Sequence, residues 1–300
     1  MLPLKELIKI GEAQLREAGI MDAQRDAKDL YCHVDKLDAV GLMMHWQDIL
    51  PDNTCEAYFE LVERRAKGEP IQYIIGTQEF MGFTFNVNPS VLIPRQDTET
   101  MVEDALEVLE KGTLRGQEFV KKPSFKDVLD LCTGSGAIGI SLAKMNSNIK
   151  VTCSDLSKDA LETAKGNAVL NGCKSIKFEQ GDLFEPFRGK LSKKKFDFII
   201  SNPPYIVSEV IGTLQTEVKD HEPMMALDGG TDGLDFYRQI AKESPNHLHK
   251  GGVLMMEIGH DQGEAVCQLL EETERFENVV CLKDLAGKDR IVTGVLKSKK

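Results

Sequence analysis

The tetrapeptide Asn202-Pro203-Pro204-Tyr205 combines groups that can hold an –NH₂ group, just where a run of β-forming residues ends. The side-chain oxygen of Asn202 and the carbonyl oxygen of Pro203 can each accept one N–H of a planar amide or amine. The two prolines supply no competing N–H donor and keep the acceptors rigid. Tyr205 can pack flat against the planar group. The segment therefore predicts a site that orients a weakly nucleophilic nitrogen toward an electrophile.

A glycine-rich stretch, Asp130-Leu-Cys-Thr-Gly-Ser-Gly136, joins a predicted strand to a predicted helix. Glycines in such a turn allow the backbone to approach a ligand closely, at the positive end of the helix. The stretch also begins a match to G-x-G-x-x-G, which by itself is a weak signal for a dinucleotide. The predicted cofactor-binding residues of this turn are Cys132, Thr133, Gly134, Ser135 and Gly136.

Acidic residues follow the next two predicted strands. Asp155 is placed to accept hydrogen bonds from both ribose hydroxyls of an adenosine cofactor, and Asp182 and Leu183 to flank the adenine. A capping role at a helix start is the alternative for Asp155. A dehydrogenase would need a proton-relaying His or Tyr near the hydride, whereas Asn202 and its neighbours offer an amide clamp. The combination favours methyl transfer over hydride transfer.

The elements that must position these residues alternate between strand and helix from residue 126 onward. Strands are predicted over 128–131, 150–154, 176–179, 196–200, 252–258 and 290–293, and helices over 137–144 and 158–171. This alternation predicts an α/β fold with a mostly parallel, Rossmann-like sheet. Ligands bind beyond the carboxyl ends of the strands in such sheets, where all the candidate residues fall.

The first part of the chain has a different pattern. Apolar residues recur at helical spacing from Leu4 to Lys67, which predicts a small helical bundle of three or four helices. Alternation over residues 71–94 predicts a β-hairpin linker, and an amphipathic helix follows that Asp97 or Thr98 would cap. We therefore expect a helical domain over 1–75 and the α/β domain over 76–300.

Composition limits the classes of partner. The net charge of −11 argues against stable nucleic-acid binding, which needs many Lys and Arg contacts to phosphate. The first twenty residues carry regular charges, and no long apolar run follows, so a soluble, cytoplasmic protein without membrane contact is expected. Seven cysteines without a C-x-x-C pair and six scattered histidines predict neither a disulfide framework nor a metal site.

The motifs together resemble a known family. D-x-x-T-G-S-G followed by N-P-P-Y is similar to class I S-adenosylmethionine-dependent methyltransferases that act on amino or amide nitrogen. Further segments narrow the resemblance to one family. They are GEPIQYIIG (68–76), FMGFTF (80–85), VLIPRQDTE (91–99), Glu222-Pro223, ALDGG (226–230), GLDFY (233–237) and GKDRI (287–291). These segments resemble the peptide chain release factor glutamine methyltransferases (HemK/PrmC family) from residue 69 to 292.

The resemblance implies S-adenosylmethionine as cofactor and N5-methylation of the glutamine in the Gly-Gly-Gln loop of release factors, the expected protein partners. It also implies that the helical domain recognises the release factor. Two residues depart from the family pattern: Cys132 stands where the loop usually has glycine, which leaves its effect on cofactor affinity open, and Gln96 replaces a frequent proline.

Two other functions stay open at this stage. An adenine-N6 nucleic-acid methyltransferase shares the tetrapeptide but would need a basic face and aromatic residues that stack on bases, whereas only 6% of this chain is aromatic. A non-catalytic binding module without cofactor is the second. Binding of nucleic acid would favour the first, and lack of S-adenosylmethionine binding the second.

Overall fold

A computed structural model of the chain describes residues 1–121, 125–189 and 194–298. The helices in these ranges are α1 (Leu4–Glu17), α2 (Ala23–Asp35), α3 (Ala39–Met44), α4 (Asp52–Ala66), α5 (Ile71–Ile75), α6 (Gln96–Lys111), α7 (Ala137–Met145), α8 (Lys158–Leu170), α9 (Ser208–Ile211), α10 (Thr216–Lys219), α11 (Met224–Leu227), α12 (Asp235–His247) and α13 (Gly263–Glu272), with a 3₁₀ turn at Glu185–Phe187. Among these described helices, none is long and apolar enough to cross a membrane.

The strands over the same ranges are β1 (Leu2–Pro3), β2 (Ile49–Leu50), β3 (Thr77–Phe80), β4 (Phe83–Asn86), β5 (Thr113–Leu114), β6 (Gln117–Glu118), β7 (Asp127–Leu131), β8 (Lys150–Asp155), β9 (Lys177–Gln180), β10 (Phe196–Ser201), β11 (Leu248–Glu257), β12 (Phe276–Lys283) and β13 (Asp289–Leu296). By contact density the chain divides into two compact units. One comprises Met1–Thr77 and Leu214–His221, and the other Gln78–Thr213 and Glu222–Lys300.

The larger unit is built on a seven-stranded sheet, counted over the described residues, in the order β12-β13-β11-β10-β7-β8-β9. The five strands from β11 to β9 are parallel, and β13 and β12 add antiparallel pairs at one edge. The predicted α/β fold with a mostly parallel, Rossmann-like sheet is thus confirmed. β7 lies between β10 and β8, so the chain order reverses beside β7, where ligands bind in open α/β sheets.

Both faces of this sheet are covered because neighbouring strand residues point to opposite sides. Val128 and Ile200 belong to a buried cluster on one face, which also contains apolar residues of α6 and α7. Leu129 and Ile199 belong to the cluster on the other face, which contains Tyr237 and other residues of α12 and α13. This double cover holds the strand ends in register, with Ser201 level with Leu131 on one side and Met256 on the other.

The predicted strands were right in place but not in every boundary. β11 begins at Leu248, four residues before the predicted strand, and β13 continues to Leu296. The edge strand β12 was not predicted, because its half-buried residues show little alternation.

The predicted hairpin lies within residues 71–94, as expected, but is shorter than that range. Residues 71–75 form α5, which starts after Pro70 and stops at Gly76, where φ is +84°. Proline before a helix and glycine after it are the usual boundary residues. The hairpin itself is β3 and β4. Met81 and Gly82 between them both have positive φ, the conformation of a tight two-residue turn.

The smaller unit has its own helical core. α1, α2 and α4 bury large side chains against one another, including Leu7, Tyr31 and Tyr58. Gly11 of α1 permits this packing, since a Cβ there would lie 2.0 Å from the Tyr58 hydroxyl oxygen. The buried Arg65 of α4 forms ion pairs with Asp26, at 2.6 Å, and with Glu217 of the returning segment, at 2.5 Å.

A candidate active site at the carboxyl edge of the sheet

A cavity of about 510 Å³ opens at the carboxyl ends of the parallel strands in the larger unit. Its volume lies within the range of small-molecule sites. The predicted site residues that line it are Cys132, Thr133, Gly134, Ser135, Asp155, Asp182, Leu183, Asn202 and Pro204. Gly136, Pro203 and Tyr205 are not among the described residues of its wall. One cavity therefore brings together the glycine-rich turn, the acidic residues Asp155 and Asp182, and part of the tetrapeptide.

The glycine-rich turn is shaped by left-handed backbone conformations. Gly134 has φ of +54° and faces open space where a Cβ would stand, and Gly136 has φ of +82°. A Cβ on Gly136 would lie 2.7 Å from Cδ1 of Ile140, so the turn requires glycine there. Cys132 also has a positive φ, +60°, which is uncommon for a residue with a side chain.

Asp130, the first residue of this motif, supports the turn from below. Its Oδ2 atom accepts hydrogen bonds from the Thr133 hydroxyl, at 2.5 Å, and from the Gly139 N–H, at 2.9 Å. Complete burial raises the pKa of the Asp130 carboxyl to about 7, although both hydrogen bonds act to lower it. Asp130 therefore fixes the turn to the start of α7 and is not itself among the described residues of the cavity wall.

Asp155, at the end of β8, has backbone partners on both oxygens. Its Oδ2 accepts from the Gly134 N–H and its Oδ1 from the Ser157 N–H, each at 2.9 Å. Burial raises the pKa of Asp155, while these N–H groups lower it. Ser157 caps α8 through the Ala160 N–H, so Asp155 is not the capping residue. A carboxylate can accept about four hydrogen bonds, which leaves capacity for a ligand in the cavity.

The tetrapeptide is held by contacts to neighbouring elements. Ser201, just before it, donates its hydroxyl to the Leu131 carbonyl at 2.7 Å. The Tyr205 carbonyl accepts from the side-chain amide of Gln262 at 3.0 Å, and Gly229 packs so closely that a Cβ would lie 2.7 Å from the Tyr205 Cα. Burial raises the pKa of Tyr205 to about 12, so its phenol is neutral.

Two polar residues beside Asn202 were missed as site residues. Thr98 was predicted as a helix cap, but α6 starts at Gln96 without a side-chain cap, and Thr98 instead lies on the cavity wall. Its Oγ1 is 3.4 Å from Asn202 Nδ2. Glu257 is 1% exposed at the end of β11, and burial raises its pKa to about 7. The sequence signal that could have identified Glu257 is a single carboxylate directly after the apolar run VLMM.

The donor set suits an organic cofactor. The uncrowded face of Gly134 leaves room for a ligand against the turn, and Asp155 and Asp182 offer acceptors for hydroxyl and amino groups. In the ranges that the structure describes, no three His, Cys, Asp or Glu side chains converge as a metal ion would require.

Comparisons with known proteins agree with this architecture. Residues 6–76 match the family described as the PrmC N-terminal domain, and residues 98–218 match the methyltransferase small domain. Among solved structures, a methyltransferase from Pyrococcus furiosus is 17% identical with a TM-score of 0.50, covering 78% of this chain and 98% of that one. A T. thermophilus 16S rRNA methyltransferase in complex with AdoMet and guanosine is 19% identical with a TM-score of 0.51, covering 74% of this chain and 50% of its own.

Full-length relatives give the family. A release factor glutamine methyltransferase from Clostridium acetobutylicum is 40% identical over 297 residues, covering 98% of this chain and 99% of the relative. One from Geobacter sulfurreducens is 40% identical over 291 residues, covering 97% and 96%. The chain therefore belongs to the release factor glutamine methyltransferase family.

Proposed function

We propose that this protein transfers a methyl group from S-adenosylmethionine to the side-chain amide nitrogen, N5, of the glutamine in the Gly-Gly-Gln loop of a peptide chain release factor. The observation that carries the proposal is that Asn202 and Asp155 line the same cavity, so the proposed amide clamp and the proposed ribose-binding residue can act on one bound cofactor and substrate. Membership in the family of release factor glutamine methyltransferases supports the choice of substrate.

The cofactor would be held by the glycine-rich turn and the two acidic strand ends. The backbone of residues 134–136 would lie against it, Asp155 would accept the ribose hydroxyls, and Asp182 with Leu183 would flank the adenine. When bound, S-adenosylmethionine supplies an electrophilic methyl group on a sulfonium. Asp155 also accepts from the Gly134 N–H at 2.9 Å, so the proposed ribose binding would depend on the same carboxylate that shapes the turn.

The substrate amide would be oriented by the tetrapeptide. An amide nitrogen is a poor nucleophile because its lone pair is delocalised into the carbonyl, so positioning must supply much of the rate. Orientation of this kind is worth up to about 7–11 kcal/mol in favourable cases. Acceptors at Asn202 Oδ1 and the Pro203 carbonyl would take the two N–H groups and stabilise the positive charge that develops on nitrogen. The extra proton on the methylated nitrogen would pass to water after the transfer, so no strong base is required.

The helical unit is proposed to recognise the folded release factor. A three-residue loop offers little area to bury, so selective binding needs a further contact surface. α3 exposes a set of apolar side chains, Val40 at 65%, Met43 at 77% and Met44 at 78%. Exposed apolar patches commonly mark protein interfaces. The net charge of −11 favours a partner with a basic surface.

The deciding experiment is mass spectrometry of a folded release factor after incubation with the enzyme and isotopically labelled S-adenosylmethionine. We expect one labelled methyl group on the glutamine of the Gly-Gly-Gln peptide. An unmodified glutamine, with both proteins folded and the cofactor bound by calorimetry, would overturn the proposal. Labelled adenine in a parallel nucleic-acid sample would favour the adenine methyltransferase, and absence of cofactor binding would favour a non-catalytic module.

The recognition surface is tested by the double variant Met43→Ser with Met44→Ser. We expect a higher KM for the folded release factor, by about tenfold, and an unchanged KM for a short Gly-Gly-Gln peptide. Val169→Ser is the matched control, since Val169 is 75% exposed in the larger unit. Equal KM values for the double variant and the control would remove α3 from recognition.

A further inference from the structure

A buried carboxylate lies directly behind the amide clamp. Glu257 is the last residue of β11, and because Ser201 is level with Met256 in the parallel pair, Asn202 follows β10 at the level of Glu257. Glu257 is 1% exposed, whereas Asn202 reaches the cavity. The register of two neighbouring strands therefore places an acid where it can act on the clamp without contacting a substrate.

The polar groups beside Glu257 favour one orientation of the Asn202 amide. The side chains of Thr98 and Asn202 lie beside the Glu257 carboxyl group and act to lower its pKa, although burial raises it overall. Asn202 Nδ2 also lies 3.4 Å from Thr98 Oγ1, so the Thr98 hydroxyl can accept from the amide while it donates to the carboxylate. Above its pKa of about 7 the Glu257 carboxyl is ionised, and a carboxylate only accepts hydrogen bonds, so it selects the donor end of an amide. The bond to Thr98 therefore holds Asn202 by its nitrogen, and the neighbouring Glu257 carboxylate favours the same orientation.

An ion pair does not account for Glu257. The neighbouring cation Arg290 forms its ion pairs with Asp97, at 3.1 Å, and Asp284, at 3.2 Å. Within the described part of the chain, Glu257 Oε2 has no hydrogen-bond partner. A buried carboxylate with incomplete pairing destabilises a fold, and an apolar residue would complete the strand at lower cost. Its presence suggests a role in the site.

We propose that Glu257 is a positioning residue for methyl transfer. Directly and through Thr98, it binds the Nδ2 group of Asn202 and so leaves Oδ1 directed to the cavity, where it accepts the substrate N–H. Without Glu257 the amide can rotate by half a turn and present a donor to the substrate's own donor. This assignment rests on the proposed function and specifies how one of its acceptors is oriented.

The kinetic test is a double-mutant cycle between Glu257 and Asn202. Glu257→Met keeps the length of the side chain without an acceptor, and we expect kcat to fall at least about tenfold, the size of a lost hydrogen bond to a charged group. Glu257→Gln retains an acceptor and should stay within about fivefold of the wild type. In an Asn202→Ala background, Glu257→Met should lower kcat by no more than about twofold, because the two residues act as one unit.

Calorimetry should give S-adenosylmethionine affinities within about twofold of wild type for both Glu257 variants, since neither change touches the cofactor half of the cavity. A wild-type kcat for Glu257→Met, or an equal loss in the Asn202→Ala background, would overturn the positioning role. If Glu257→Met does not fold, Thr98→Val tests the link between Glu257 and Asn202. It should lower kcat in the otherwise wild-type protein but not in the Asn202→Ala background.

A readout that needs no turnover separates this inference from the proposed function. The side-chain NH₂ resonances of Asn202, identified by their loss in Asn202→Ala, should exchange with water more slowly in the wild type than in Glu257→Met. Equal exchange rates would overturn the inference even if the enzyme methylates release factors. Slower exchange in the wild type would support it even if release factors prove not to be the substrate.

Discussion

The two halves of the cavity use buried acids differently. At the ends of β7 and β8, Asp130 and Asp155 accept hydrogen bonds from backbone N–H groups and thereby shape a turn. At the ends of β10 and β11, Glu257 lies beside the side chains of Thr98 and Asn202, and Asn202 donates to the Thr98 hydroxyl at 3.4 Å. The first arrangement fixes main chain, which suits binding of a constant cofactor. The second fixes a side-chain functional group, which suits orientation of a reacting nitrogen.

The largest effect should come from Asn202→Ala in the second half. We expect the methyl-transfer rate to fall at least about a hundredfold, because the lost interaction strengthens toward the transition state. Cofactor affinity, measured by calorimetry, should change little. A comparable loss of affinity would make Asn202 a cofactor ligand and would end the division between the halves. A near-normal rate would rule out the clamp.

Asp155→Ala tests the first half. The variant should bind S-adenosylmethionine more weakly by about 1.5–3 kcal/mol, the range for lost hydrogen bonds to a charged group. Calorimetry measures the change, and saturating cofactor should restore much of the rate. Asp159→Ala is the control, since Asp159 is an exposed acid in the first turn of α8. Unchanged affinity in folded Asp155→Ala would refute the ribose role.

The pH dependence of the unfolding free energy should show that each half contains one buried acid that destabilises the fold when it is ionised. Burial raises the pKa values of Asp130 and Glu257 to about 7. A raised folded-state pKa means that stability is fully present below the unfolded pKa, near 4, and is lost as the pH rises toward 7. Glu257 is also influenced by Arg290 and Asp97, which remain in every variant.

Denaturant unfolding at pH 5 and pH 7.5 measures this loss. The wild-type unfolding free energy should fall between pH 5 and pH 7.5. In Glu257→Gln this fall should be smaller by on the order of 1–2 kcal/mol, and the same is expected for Asp130→Asn. An identical pH dependence in the wild type and in either amide variant would show that the replaced acid is not protonated in the folded protein. A difference between the two variants would show which half carries the larger penalty.

The smallest effect is expected at Cys132. Its φ of +60° suits glycine, and the left-handed conformation costs about 1–2 kcal/mol for a residue with a Cβ. Cys132→Gly should therefore raise the unfolding free energy by up to about 1 kcal/mol. The gain is smaller than the relieved strain because glycine loses more backbone entropy on folding. Thermal and denaturant unfolding check this. Cys132→Ala keeps the strain and removes the thiol, so equal stabilisation by both changes would assign the effect to sulfur.

Local patterns sufficed for the framework of the larger unit. The apolar runs that became β7, β8 and β10 end at glycine, acid and proline residues, so the sheet and the position of its carboxyl edge were predictable. Five apolar or amide residues at 71–75 were not, because so short a run fits a strand as well as a helix. Which residues touch a ligand stays a prediction.

Features that depend on distant pairing were not predictable. The link between Thr98, Asn202 and Glu257 requires the register of β10 against β11, which no local pattern contains. The residues Gly136, Pro203 and Tyr205 carry the motifs, but side-chain packing decides whether they line the cavity. The grouping of Leu214–His221 with the helical unit likewise depends on contacts far apart in sequence.

That returning segment has a consequence for synthesis on the ribosome. Arg65 emerges early, together with Asp26, but its second partner Glu217 follows only after β7, β8, β9 and β10 have been made. The helical unit therefore cannot reach its final set of ion pairs while it is the sole part of the chain outside the exit tunnel. The Arg65–Glu217 ion pair therefore forms only after most of the sheet has been synthesised, although the helices that contain Arg65 and Asp26 are encoded first.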